Sequence, residues 1–339
     1  MNDLLNLQKK LYPDLLESMH QRYAVLRNIY LFQPIGRRGL AEHTKLTERI
    51  VRGEVTFLQK HSFIHMTTKG MQITKEGKML VEQLAPFMSE FSKVSVLQER
   101  LKDKLQIKQA LIVPGNSDED NWVKQEMGKV CVSYLKQTVQ SGSAIAVTGG
   151  TTIAAVADVM TPIETSDDCL FVPARGGIGE RMENQANSIV AKMARKAKGD
   201  YRLLYVPDTL SETSYQTMIN EPAIKEVLQK IKSADIVLHG IGDALTMAAR
   251  RNTPEHITAE LKEKNAVSEA FGYYFDNKGE IVHKVRTIGL QLEDVSSTPQ
   301  VIAIAGGKSK AKAIVSYFMR NKSDLLITDE AVAEAILRA

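Results

Sequence analysis

The parts of this sequence best able to do chemistry are glycine pairs at the ends of β-like runs, with hydroxyls or cations beside them, and that chemistry is anion binding. Val147-Thr148-Gly149-Gly150-Thr151-Thr152 closes one run and opens a helical stretch. Glycine lets a backbone approach a ligand. The N–H groups that follow, with the hydroxyls of Thr151 and Thr152, can donate to an anion on the helix dipole. The segment lacks the Lys-Ser/Thr ending of a P-loop and is not a GxGxxG fingerprint. A tight strand-to-helix turn with no ligand would read the same way. Arg175-Gly176-Gly177 ends a second run, and Ala305-Gly306-Gly307 ends a third, leading to Lys308 and Lys310. Arg250-Arg251 adds positive charge after a fourth, although two adjacent arginines are as readily a solvated surface. Together these groups suggest an anion site with more than one phosphate subsite.

The elements that must hold these groups are short β-rich runs alternating with helical stretches from about residue 107 onward: ALIVPG, SAIAVTGG, CLFVPAR, YRLLYVP, DIVLHGIG, VIAIAGG and LLITD. The alternation predicts an α/β domain with a mostly parallel, covered sheet. In such sheets ligands bind beyond the carboxyl ends of the strands. FGYYF and IVHKVRTIG around Asn277-Lys278-Gly279 predict a hairpin or insertion.

The front of the chain follows a different plan. Residues 19–32 predict a helix with Val25, Leu26, Ile29, Leu31 and Phe32 on its apolar side, stopped by Pro34. A short helix follows, with Leu40 and Ala41 facing inward. After a turn at Lys45–Thr47, Thr47 is a good N-cap for a helix over about Glu48–Lys60. Val51, Val55 and Leu58 at i, i+4 and i+7 form its apolar back, so Arg49, Arg52, Thr56 and Gln59 point away. Gly53 weakens such a helix by about 1 kcal/mol relative to Ala and could admit another helix or a duplex. Residues 63–73 predict a hairpin turning at Lys69-Gly70, and Thr74 caps a further helix. Helix, helix, recognition helix, hairpin, helix is the order of a winged helix-turn-helix. Arg37, Arg38 and Lys45 are then candidate phosphate contacts, with Thr47, Arg49, Arg52 and Thr56 completing the DNA face. A small helical module that binds protein is the rival reading of this head.

Between the two parts, Leu80, Leu84, Phe87, Phe91, Val94, Leu101 and Leu105 follow a 4-3-4-3 spacing, with Gln98 at one seam position. Pro86 is expected to start a new helical segment at its first position. The stripe is read as a dimerising linker helix, since DNA half-sites call for a two-fold partner; a helix packed on its own C-terminal domain is the other reading. The expected organisation is a DNA-binding domain over 1–85, a linker over 86–106 and an effector domain over 107–339.

Composition agrees with two domains. Residues 1–105 hold 17 Lys+Arg against 11 Asp+Glu, whereas the remainder holds 27 against 29. A basic front on a slightly acidic body fits a chain whose front touches a polyanion. No run approaches the roughly 18 apolar residues of a membrane span. The stretch MNDLLNLQKKLYPDLL is amphipathic and carries acids, unlike a signal peptide. Cys131 and Cys169, the only cysteines, lie in apolar runs and are expected to be buried thiols in a reducing cytoplasm, with no disulfide or metal.

Taken together, TERIVRGEVTFL, TGGTT, VPARGGIGE, NQAN, HGIGDA, RRNTP, EAFGYYF and IAGGKSKAKAI resemble the SorC family of sugar-responsive regulators over essentially the whole chain. The resemblance implies a winged head on a Rossmann-like domain similar to sugar-phosphate isomerases and deaminases. It implies a repressor of an operon of glycolytic enzymes, acting as a dimer or tetramer, with operator DNA as partner, no cofactor, and fructose 1,6-bisphosphate as inducer. The ligand positions it implies are Gly149, Gly150, Thr151, Thr152, Arg175, Gln185, Arg250, Arg251, Glu269 and Lys310. Gln185 and Glu269 come from the resemblance alone; both are of a kind that binds sugar hydroxyls. The related deaminases carry Gly-Ile-Gly-x-Asp-Gly-His where this chain has Gly240-Ile241-Gly242-Asp243-Ala244-Leu245-Thr246, so Ala244 stands for the Asp and Thr246 for the His. Acid–base chemistry needs a titratable group within reach of its proton. The expectation is a binding site without catalysis, and the rival is an isomerase or deaminase with a fused DNA-binding head.

Overall fold

The computed structural model describes residues 13–91, 93–164, 169–177, 181–207, 210–321 and 323–339. Most of the amphipathic N-terminal stretch therefore lies outside the described residues. The chain divides into two compact units, 1–95 and 96–339.

The first unit carries helices α1 (Pro13–Phe32), α2 (Arg37–Thr44) and α3 (Glu48–Lys60), the hairpin β1 (Ile64–Thr67)–β2 (Gly70–Ile73), and helix α4 (Lys75–Phe91). Lys45, in the left-handed conformation, ends α2, and Thr47 Oγ1 accepts from Ile50 N at 3.4 Å to start α3. Val51, Val55 and Leu58 are buried with Val25, Leu26, Ile29, Leu40 and Met71 in one core. Each fully buried aliphatic side chain contributes about 1.5–3 kcal/mol. Thr74 Oγ1 accepts from Gly77 N at 3.0 Å and donates to Ser62 O at 2.8 Å, fastening the hairpin to the start of α4.

The connector departs from expectation at two points. Pro86 lies inside α4 and does not open a new segment. The missing N–H removes a single ladder bond, and the helix persists because Val81 and Met88, two turns apart on one face, are both buried. The next helix, α5, runs from Lys93 to Leu105. Its seam positions are already covered within one chain: Leu101 and Leu105 are buried, and Gln98 Oε1 accepts from Ile112 N at 3.1 Å. Those positions are packed on the chain's own body and are not free to form a coiled-coil seam. The side chains of Phe87 and Phe91 lie outside the described residues.

The second unit is built on a seven-stranded sheet of order β3-β13-β12-β7-β4-β5-β6. The strands are β3 (Gln109–Val113), β4 (Ala144–Val147), β5 (Leu170–Pro173), β6 (Asp200–Tyr201), β7 (Ile236–Gly240), β12 (Gln300–Ile304) and β13 (Leu325–Asp329). Every pairing is parallel. The run YRLLYVP supplies only Tyr201 of the two-residue β6. Helices α6 (Asn121–Thr138), α7 (Thr151–Val159) and α8 (Ala186–Ala197) cover the sheet and close a core that includes both cysteines. Cys131 and Cys169 are both buried, and Cys169 Sγ donates to Gln140 O at 3.3 Å. A second, antiparallel sheet has the order β11-β10-β9-β8, with β8 Gly242–Asp243, β9 Ser268–Ala270, β10 Tyr273–Phe275 and β11 Ile281–Lys284. Its β10–β11 hairpin is the one expected around Asn277–Gly279, enlarged by two further strands.

Candidate functional site

The chain passes from β4 to β5 and β6 on one side, then returns at β7 on the other side of β4. Turns leaving the carboxyl ends of β4 and β7 therefore diverge, and a crevice opens between them. After β4, Gly150 has φ 117° and forms the N-cap of α7 with no side-chain cap bond. A residue with a Cβ is disfavoured at that φ. Gly150 N donates to Asn184 O at 2.8 Å, so its N–H is committed inside the protein. Donors for an anion thus begin at Thr151, with the dipole of α7 behind them. After β7 the chain enters β8 and helix α11 (Ala244–Arg250). Gly307, at φ 97°, turns the end of β12 into the 308–310 turn and helix α14 (Ala311–Arg320).

These turns surround a cleft of about 280 Å³. Nine of the ten expected ligand residues line it: Gly149, Gly150, Thr151, Thr152, Arg175, Arg250, Arg251, Glu269 and Lys310. Gln185 does not; it is the N-cap of α8, half-buried near Gly177. Lys308 is exposed and also off the cleft wall. Sequence reasoning missed Asp118, on the β3–α6 connection, and Lys124, in the first turn of α6; both line the cleft. Their one signal was that ALIVPG is also a strand tip. Asp118 accepts from Ser309 N at 2.8 Å and Ser309 Oγ at 3.0 Å, tying its loop to the start of the 308–310 turn.

Charge in the cleft is arranged in layers. Glu269 is buried, and its Oε1 accepts from Arg251 Nη2 at 2.8 Å, Arg175 Nη1 at 3.4 Å and Gly272 N at 2.7 Å. Arg251 also donates to Tyr274 OH at 3.0 Å. Glu269 is thus first an anchor for two arginines; its Oε2 lies toward the cleft-lining turn at Gly242. Burial, followed by the charges of Lys124 and Arg250, pushes the Lys310 ammonium below the usual lysine range, with Asp118 and Asp329 acting in the opposite direction. An added anion would relieve that repulsion.

The stretch 240–246 offers little for proton transfer. Ala244 is buried, and Asp243 Oδ1 accepts from Thr246 N at 2.8 Å and Thr246 Oγ1 at 2.7 Å as the cap of α11. His239 is fully buried beside Phe271 and bonded at its ring nitrogens to Gly240 O and Ser323 Oγ. Burial lowers its pKa to about 4, so it is neutral at neutral pH. Among the described residues no cluster of His, Cys, Asp and Glu could hold a metal ion, and no helix is long and apolar enough to cross a membrane.

In the first unit, Arg37, Arg38, Lys45, Thr47, Arg49, Arg52 and Thr56 are all exposed. Arg38 approaches Glu48 at 3.9 Å, a solvated pair of little energetic weight. Thr56 Oγ1 donates to Arg52 O at 2.8 Å, which leaves its oxygen as an acceptor. Arg22 bonds Glu54 at 2.7 Å and lies over the Phe57 ring at 3.6 Å, fixing α3 against α1. Gly53 is exposed, and a Cβ added there meets no described atom within 4 Å, so packing against another described helix does not explain it.

Comparison with known proteins agrees with both halves. The model of a sugar-binding domain family matches residues 89–338, and that of the CggR N-terminal DNA binding domain matches residues 18–88. A DNA-binding head joined to a sugar-binding body defines a regulator, not an enzyme. A protein of Priestia megaterium named central glycolytic genes regulator is 50% identical over 339 residues, covering 100% of this chain and 99% of its own. Its namesake in Bacillus subtilis is 49% identical over 338 residues, with the same coverage. The crystal structure of a SorC family transcriptional regulator from Enterococcus faecalis is 47% identical, with a TM-score of 0.68 over 71% of this chain and 99% of that one. The chain belongs to the SorC family of transcriptional regulators and, within it, to the central glycolytic genes regulators.

Proposed function

We propose that the chain represses a glycolytic operon and leaves its operator when fructose 1,6-bisphosphate enters the cleft. The carrying observation is the convergence of the uncapped start of α7 with Lys124, Arg175, Arg250, Arg251 and Lys310 around one cleft. Among the described residues, Glu269, Asp243 and Asp118 oppose these five cations there, and all three are committed to internal bonds. A surplus of fixed positive charge beside helix N–H donors suits a ligand with two phosphoryl groups. Thr151 and Thr152 donate to one of them, Arg and Lys side chains neutralise both, and Glu269 Oε2 accepts a sugar hydroxyl.

In the head, α3 enters the major groove with Arg49, Arg52 and Thr56 toward base edges and phosphates. Arg37, Arg38, Lys45 and Thr47 contact the backbone. The working unit is a homodimer or tetramer, because one head reads only a half-site, and DNA as partner makes the cytoplasm its site of action. Leu101 and Leu105 are packed within one chain, so this reading does not draw on those two side chains for self-association. The proposed division is 1–85, 86–106 and 107–339, with the end of the linker helix α5 packed on the body.

A thermal-shift screen against sugar mono- and bisphosphates tests the effector. A ligand held only by the folded chain at 100 times its Kd stabilises it by about 2.7 kcal/mol. Fructose 1,6-bisphosphate should raise Tm, and Thr152→Val and Lys310→Ala should each remove most of the rise. No shift with this sugar alongside a shift with another metabolite would reject the assignment.

A further inference from the structure

We propose that Gly53 is a base-reading position. The notch it leaves in α3 receives the C5-methyl group of a thymine in the major groove. The proposal rests on the reading of α3 as the helix that enters the groove.

On a helix of 3.6 residues per turn, Arg49, Gly53, Thr56 and Lys60 fall in one stripe, and all four are exposed. Val51, Val55 and Leu58 occupy the opposite, buried face. A Cβ at Gly53 would stand in open space, and the backbone there is not left-handed. Among the described residues neither packing nor conformation calls for glycine, although glycine is among the least favourable residues in a helix interior. The demand therefore comes from outside, and Arg49 and Arg52 beside it indicate a polyanion. The N–H and C=O of Gly53 belong to the α3 ladder, so the notch offers room and no hydrogen bond. Room without donors suits a hydrocarbon group better than a phosphate oxygen. The thymine methyl is the hydrocarbon group that the major groove presents.

The test uses the full chain and a duplex selected by it from a random pool, with an unrelated duplex of equal length as control. Fluorescence anisotropy is read for wild type, Gly53→Ala and Arg52→Ala, and Tm is measured for each. Gly53→Ala should keep or raise Tm, leave binding to the unrelated duplex and its salt dependence unchanged, and weaken binding to the selected duplex at least about five-fold, the lower end of the cost of one wrong base pair. Replacing thymines one at a time by deoxyuridine should find one position where wild type loses affinity and Gly53→Ala loses no more. Equal affinity of Gly53→Ala for the selected duplex would overturn the proposal. An equal loss on both duplexes would do the same, as would a fall in Tm. If Arg52→Ala left both affinities and the salt dependence intact, the reading of α3 itself would fail, and the proposal with it.

Discussion

Glu269 shows how one residue can hold a site together without being its most obvious ligand. Its carboxylate is buried, and one oxygen accepts from Arg175, Arg251 and Gly272 N. Removing a partner from a buried ion pair leaves the remaining charge uncompensated, which costs about 3–5 kcal/mol. Glu269→Ala should therefore lower the unfolding free energy obtained from a urea titration by an amount in that range. An unchanged free energy would mean that water already serves the two arginines. Thr152 and Lys310 differ from Glu269 in this respect: removing them should lower ligand affinity more than stability, because Thr152 carries no charge and Asp329, the buried carboxylate acting on Lys310, is already held by the N–H groups of Ser117, Gly307 and Val332.

At the scale of elements, His239 links β7 to the wall behind the cleft. It contacts Phe271 at a ring-centroid distance of 4.7 Å and Tyr317 of α14 at 5.2 Å, and bonds Ser323 Oγ at 3.2 Å. Its pKa falls from 6.5 to about 4 because burial disfavours the charged ring, with the Gly240 carbonyl and Glu269 opposing more weakly. The unfolded chain then binds a proton that the folded chain resists. This part of the stability is complete above about pH 6.5 and is lost as pH falls toward 4, where it amounts to about 3 kcal/mol. Unfolding measured at pH 7, 5.5 and 4 should show this acid limb, and His239→Gln should flatten it. An unaltered limb in that variant would assign the acid sensitivity to other groups.

At the scale of the whole molecule, the proposal requires the cleft and the head to be coupled. Coupling between two ligands is reciprocal: if the effector weakens DNA binding by some factor, DNA must weaken effector binding by the same factor. A typical coupling of about 1–3 kcal/mol corresponds to roughly 5–150-fold. Titrating the effector with and without a selected duplex, and the duplex with and without effector, should return matching factors; unequal factors would show that the two ligands do not share one equilibrium. In the DNA titrations, loss of Arg49 or Arg52 should reduce the slope of log affinity against log salt by about one for each phosphate contact removed.

Local order was written in the residues themselves. Thr47 as a cap, the spacing of Val51, Val55 and Leu58, and the strand runs ending in glycine needed only backbone sterics and hydrophobic periodicity, so α3 ends where expected and the seven runs meet in one sheet. Contacts between distant segments were not legible in this way. Pro86 reads as a break, yet burial of Val81 and Met88 carries α4 through it. The heptad-like stripe reads as an intermolecular seam, yet Leu101 and Leu105 are buried in their own chain. Asp118 and Lys124 join the cleft because β3 lies beside β13 in the sheet, some two hundred residues away along the chain. The capture of Gly150 N by Asn184, and of Arg175 and Arg251 by Glu269, likewise depends on folding together residues that no spacing rule connects. Periodicity records which face of an element is apolar; only the packed chain decides what covers that face and which polar groups remain for a ligand.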